Sequence, residues 1–271
     1  MRKVTYYYHH RSGKLSHGSS FWVLILTFTL IPLLVILFLT SREDIFEFIN
    51  ALKQVPTKLL LIASVLTIFR ITLAYIVSFI CALGLSLLVT MNSKIQRILL
   101  PVYDVLESIP VLAFFPIIIL FFIKHNFLEG AAIFVIFVAI LWNLVFTMVG
   151  GIQLIPQDIK DSAKMYNVRG WKYLRHVLLP AITPEIVTGS ILAIAAAWDI
   201  VIVAEVLHTY IPNGTSALDL LGLGSLFVNA SVSNNQILFT SSLVCMIFII
   251  TLTNVLIWQR LLKFSEKFRF E

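Results

Sequence analysis

The chain has 271 residues, 59% of them hydrophobic and 13% charged. A soluble domain carries about 25% charge, so this chain lacks the polar surface to cover itself in water, and a soluble globular fold is excluded. The formal charge of +6 does not point to nucleic acid, because the basic residues stand in loops between apolar runs, where membrane topology puts them.

Residues 1–20 are polar and basic and read as a tail. Its run Tyr6-Tyr7-Tyr8-His9-His10 has no third ligand at metal-binding spacing, and it reads as an aromatic anchor at the interface. Phe21 to Thr40 is the first predicted span. It is longer than the apolar part of a signal peptide and has no A-x-A site, so it is read as a retained helix. With the linker that follows, this part occupies 21–58. The next apolar run, Leu59 to Thr90, would be about 48 Å long as a helix, against a bilayer core of about 30 Å. Arg70 is its one charge. If the first turns lie outside the core, Arg70 snorkels to the interface.

A short basic turn leads into Ile98 to Ile123, which contains Pro101, Pro110 and Pro116. Three prolines in one membrane segment predict kinks or a broken helix. Pro110 and Pro116 are candidate gate positions. Ala131 to Val149 is the fourth span. Ile186 to Glu205 is the fifth, with Ala193, Ala195, Ala196 and Ala197 small enough for close helix packing. Trp198 and Glu205 share a face of it, two turns apart, and read as facing a pathway or a partner subunit. Asp199 lies about 100° round and would face a neighbouring helix. Arg70 is a possible partner for either acid. Residues 206–235 read as a loop, on the strength of Pro212, Asn213-Gly214, Gly222 and Gly224, and Gln236 to Trp258 is the sixth span. Cys81 and Cys245 fall inside spans and read as small buried residues, not as a disulfide framework.

Between the fourth and fifth spans lies a polar, helically patterned stretch. Ile159, Ser162, Ala163 and Tyr166 form one small-and-apolar face, and Trp171, Leu174 and Leu178 a second. Asn167 stands where the first helix must stop and turn. Pro180 and Pro184 are expected to end the second helix. Two short helices at a bend look like a docking element for another protein. Six spans put both termini on one side. That side carries 15 of the 20 Lys and Arg and the other side 4, so the positive-inside rule places the termini and this stretch in the cytoplasm. The sequence has no P-loop, HExxH, CxxC or GxSxG, which argues against ATP binding and enzymatic chemistry in this chain.

The stretch resembles the EAA motif of binding-protein-dependent ABC importer permeases, whose pattern is E-A-A, three residues, G, nine residues, I-x-L-P. Asp161-Ser162-Ala163 stands at E-A-A, Asn167 at the glycine, and Val177, Leu179 and Pro180 at I-x-L-P. Asn for Gly is the largest departure, and Asn is the other residue that ends helices in the left-handed region. Arg70 to Gly84, Pro101 with Ser108-Ile109-Pro110 and Pro116, Ala197-Trp198 with Glu205, and Gly222-Leu223-Gly224 resemble the nitrate/sulfonate/taurine branch.

The resemblance implies an all-α membrane protein with six transmembrane helices and the type I ABC importer permease fold. It implies a five-helix core at 59–258, a cytoplasmic coupling loop at 150–182, and a cytoplasmic tail at 259–271. Ile159, Asp161, Ser162, Ala163, Tyr166, Asn167, Gly170, Leu179 and Pro180 would couple to the ATPase. The implied partners are a cytoplasmic ABC ATPase dimer, a second copy of this permease, an extracytoplasmic substrate-binding protein and the lipid of a prokaryotic inner membrane. ATP and Mg would sit on the ATPase, with no cofactor on this chain. A secondary transporter or channel without an ATPase is the alternative; it predicts internal repeats and charges at the midplane.

Overall fold

The computed structural model describes residues 56–90, 92–211 and 219–268. The first predicted span, with its tail and linker, lies outside the described residues.

α1 (Thr57–Thr90) has a buried stripe of mostly small or polar residues, Ala63, Thr67, Arg70, Ala74, Ser78, Ala82 and Ser86. They recur every three or four positions, so they share one side of the helix, and their size lets a neighbouring backbone come close. The other side presents Leu61, Val65, Phe69 and Ile80, as a helix in lipid does. α2 (Ser93–Ser108) and α3 (Val111–Lys124) follow, bent by 80° at their junction. The break falls at Ile109-Pro110, where a proline disfavours helix in the residue before it. The expected broken segment is therefore found, with Pro110 capping α3 and Pro116 inside it.

α4 (Leu128–Leu154) is the central element and packs along both α1 and α7 (Thr183–Ala204). Its buried residues include Ala132, Val135, Ile136, Ile140, Leu144 and Met148. Gly189 of α7 lies so close to Thr147 that a Cβ there would collide with that side chain. Cys245 is partly buried beside Ser64, 3.2 Å away, but Cys81 is exposed on α1, contrary to its expected burial.

Between α4 and α7 run α5 (Gln157–Met165) and α6 (Gly170–Tyr173). α6 continues through one π turn, Leu174–Leu178, into a helical turn, Leu179–Ala181. Pro180 therefore does not end the second helix. Its missing N–H is absorbed because the turn before it is wider: the Leu179 N–H bonds to the Leu174 carbonyl, five residues back. Pro184 lies in the first turn of α7, where no donor is needed.

Beyond α7, the residues read as a loop contain a helix, α8 (Leu223–Val232). Ten residues after a glycine-rich start give too short a period to separate from a loop. α9 (Gln236–Thr253), a π turn at Asn254–Trp258 and α10 (Gln259–Ser265) form one continuous span. The helix thus runs past Trp258 into the expected tail, where Ser265 is buried. Among the described residues, four helices are long and apolar enough to cross a membrane, or five if the bent pair counts as one.

Three helices end in the same way. Asn126, Asn167 and Asn234 have φ of 54°, 54° and 55°. After α5 the Val168 N–H bonds to the Ala163 carbonyl at 2.9 Å, and the Asn167 N–H to Lys164 at 3.0 Å. That is a Schellman cap with Asn in the left-handed position. Asn167→Gly should be neutral or slightly stabilising. Asn167→Val should cost about 1–2 kcal/mol, because a β-branched residue is strained there. Thermal unfolding of the two variants in detergent checks this, and equal melting would show that the turn does not depend on the left-handed residue.

Candidate functional site

Two places in the fold gather the polar chemistry. The first is a buried ionic node where α1, α4, α7 and α8 meet. Thr67 and Arg70 are one turn apart on the small-residue stripe of α1, so they point the same way. Arg70 is 1% exposed and Glu205, just past α7, is fully buried. Arg70 Nη1 donates to Glu205 Oε1 at 2.7 Å and to the Leu221 carbonyl at 3.0 Å. Its Nε and Nη2 donate to the two oxygens of Glu129 at 2.6 and 2.8 Å, a bidentate fork.

The Glu205 carboxylate also accepts from Thr67 Oγ1 at 2.7 Å and from the Gly224 N–H at 2.8 Å. Thr67 Oγ1 in turn accepts from the Leu223 N–H at 2.9 Å. The acid thus satisfies the N-terminus of α8, where free N–H groups and the helix dipole favour an anion. Gly222 and Gly224 make this approach possible. A Cβ on Gly222 would run into the Glu205 carboxylate, and one on Gly224 would meet the Ile202 backbone at 2.7 Å. Nearby, Asp219 accepts from the His208 N–H at 3.0 Å and from Asn229 Nδ2 at 3.0 Å. It also pairs with the His208 ring at 2.8 Å.

Arg70 therefore does not snorkel. It is held inside the fold, and Glu205 is the partner it takes. Thr67 and Glu129 escaped the sequence reading. The position of Thr67 on the Arg70 stripe was the available signal; Glu129 sits at the start of an apolar run and gave none.

The second place is the α5–α6 stretch. Its packed side is built from Ile159, Leu174 and Leu178, which join Ile152, Ile155, Ala181 and Ile182 in a small separate core. Ala163 is also buried, at 7%. The expected docking face of Ile159, Ala163 and Tyr166 is thus divided. Ile159 packs on the small core, and Ala163, one turn further on, is buried as well. Tyr166 lies at the C-cap, where the chain turns away. What the stretch leaves exposed is Met165 (86%), Tyr166 (83%) and Trp171 (70%). Asp161 and Ser162 are exposed as well, with Asp161 bonded to Lys164 at 2.9 Å. That lysine holds the Asp161 carboxyl below its usual range, so the contact persists above that pKa and is lost as pH falls through it. Gly170 has φ +58° with nothing within 4 Å of an added Cβ. Leu179 and Pro180 lie in the turn before α7, and Pro180 helps line a cleft with His176, Val177 and Lys267.

Residues 74–263 match the family described as "Binding-protein-dependent transport system inner membrane component". The chain belongs to this family of transport permease subunits.

The nitrate import permease protein NrtB of Leptolyngbya laminosa is 32% identical over 156 residues, covering 58% of this permease and 55% of that protein. The bicarbonate transport system permease protein CmpB of Synechococcus elongatus is 32% identical over 143 residues, covering 53% and 50%. The chain spans about half the length of the curated relatives it matches. A chain of the MetNI methionine ABC transporter, solved in inward-facing conformations, superposes with a TM-score of 0.64 at 16% identity. That match covers 76% of this permease and 96% of the other chain. The fold is that of a type I ABC importer permease, all-helical and multi-pass in the membrane.

In this permease the expected pathway residues separate. Trp198 is buried at 8% and Glu205 completely, and the face they share packs inward. Asp199 is exposed on α7 and is not turned toward a neighbouring helix among the described residues. A carboxylate on a membrane helix costs at least about 2.5 kcal/mol, so Asp199 needs water or a partner subunit beside it. Pro110 is exposed at the break and Pro116 half-buried within α3.

Proposed function

We propose that this permease is the pathway subunit of an ATP-driven importer, moved through residues 157–181 by a separate cytoplasmic ATPase dimer. The observation that carries this reading is the exposure of Met165, Tyr166 and Trp171 on a capped helix–turn–helix whose opposite side is packed. Large apolar side chains on a rigid, otherwise polar element are the composition of a protein-docking anchor. A lipid-contacting helix would need a longer apolar face than these three residues supply.

ATP and Mg sit on the ATPase, since this sequence has no P-loop. The loop lies two residues from α4 on one side and close before α7 on the other, so its displacement is passed directly into two spans. A second copy of the chain completes the pathway and covers exposed positions such as Asp199. A binding protein delivers the solute from outside. The names of the relatives suggest a small oxyanion as that solute. The excess of Lys and Arg, 15 against 4, supports cytoplasmic termini and a cytoplasmic loop.

The test is topological. With Cys81 and Cys245 replaced, Asn213→Cys should react with an impermeant maleimide in intact cells. Lys164→Cys should react only after permeabilisation. Labelling of the Lys164 site from outside would remove the loop from the ATPase side and end the coupling role.

A further inference from the structure

Arg70 is one cation between two carboxylates, and the two are held very differently. Glu205 is fully buried and is fixed from α1 and α8 by Thr67, Arg70 and the Gly224 N–H. Glu129 is 45% exposed, and Arg70 is its only side-chain partner among the described residues. Arg70 is already neutralised by Glu205 and bonded to Leu221 O, so the fork to Glu129 is the part of the node that can open. Glu129 is half-exposed where it stands, so it can leave the guanidinium without crossing a packed core.

Glu129 lies in the first turn of α4, and α4 runs unbroken to Leu154, two residues before α5 begins. A helix of this length is about 40 Å long. One rigid element therefore carries the Arg70 fork at one end and the docking loop at the other. Its Glu129 end is braced from the side: a Cβ on Gly130 would collide with the rings of Phe122 and Phe127. The corner between α3 and α4 is thus packed onto that end of α4.

We propose that Glu129 is a releasable clasp on Arg70: it holds the end of α4 to the α1–α7–α8 node, and its release accompanies opening of the outer face when the loop is displaced. It is a positioning residue, since it acts through Arg70. The proposal rests on the ATPase-coupled reading above.

The test uses the wild-type transporter assembled with its ATPase in lipid nanodiscs. Exposed carboxyls are modified with a carbodiimide and glycine ethyl ester and counted by mass spectrometry, nucleotide-free and after trapping with ATP and vanadate. Glu129 labelling should rise several-fold on trapping, while Glu205 stays unlabelled in both states. In parallel, Glu129→Gln should keep its ATP turnover but lose several-fold in solute moved per ATP, a ratio that a merely structural role would not change. Equal Glu129 labelling in the two states, with nucleotide trapped, would overturn the clasp and leave the coupled reading standing. Failure to trap nucleotide at all would sink the coupled reading, and the clasp with it.

Discussion

Glu205→Ala should abolish uptake and destabilise the permease by about 3–5 kcal/mol, the usual consequence of removing one partner of a buried ion pair. Thr67 Oγ1 and the Gly224 N–H lose their acceptor at once, and Arg70 Nη1 is left with the Leu221 carbonyl alone. The guanidinium keeps Glu129 on its other edge, which limits the damage to the α7–α8 junction. There the loss of an anion at a helix N-terminus adds to the loss of the pair. Glu205→Gln separates shape from charge. The amide fills the same space and its oxygen can still accept from Thr67 and Arg70, but its NH2 turns a donor toward the Gly224 N–H. It should leave the protein assembled and cut uptake several-fold. Melting in detergent and uptake into reconstituted vesicles, measured on both variants, check the pair of outcomes. Wild-type uptake by Glu205→Gln would show that the node needs only hydrogen bonds and no ionic partner for Arg70.

Tyr166→Asp and Trp171→Asp should each release the ATPase while the permease stays folded. Both side chains are more than two-thirds exposed, so neither change creates a cavity in the fold. Aromatic anchors at the centre of an interface are worth at least about 2 kcal/mol each, so each substitution should weaken association by about thirtyfold or more. Ala163→Asp is the contrasting variant. Ala163 is buried against its own chain, and an unpaired carboxylate there costs several kcal/mol of desolvation. It should loosen the loop itself and lower the melting temperature, which the two aromatic variants should not. Co-purification of the ATPase with each variant, alongside its melting curve, reads the two effects separately. Retention of the ATPase by both aromatic variants would remove Met165, Tyr166 and Trp171 as the docking surface.

Much of this architecture follows from local pattern. Each described span lies close to an apolar run, because in lipid the backbone must satisfy itself within the segment, whatever its neighbours are. The break at Ile109-Pro110 and the left-handed turn at Asn167 are likewise local, set by a ring that blocks helix and by a side chain that tolerates positive φ. The two short helices on either side of that turn were legible for the same reason. What stayed out of reach was the direction in which each helix turns its faces. Arg70 reaches Glu129 across 59 positions and Glu205 across 135, and no periodicity within α1 specifies either distance. α8 is a helix of ten residues whose first N–H groups are satisfied by Thr67 of α1 and by Glu205, just past α7, so its own sequence does not show why it forms. The division of the α5 face arose in the same way, since Ala163 and Tyr166 share a helical stripe and only the packing around α5 decides which of them is covered. The sequence alone determined the spans, the loop and its turn, because those depend on a residue and its near neighbours. The tertiary structure alone decided the partners of the charges and the exposed side of the loop, because a buried ion takes whichever opposite charge the packing of distant helices brings within hydrogen-bond reach.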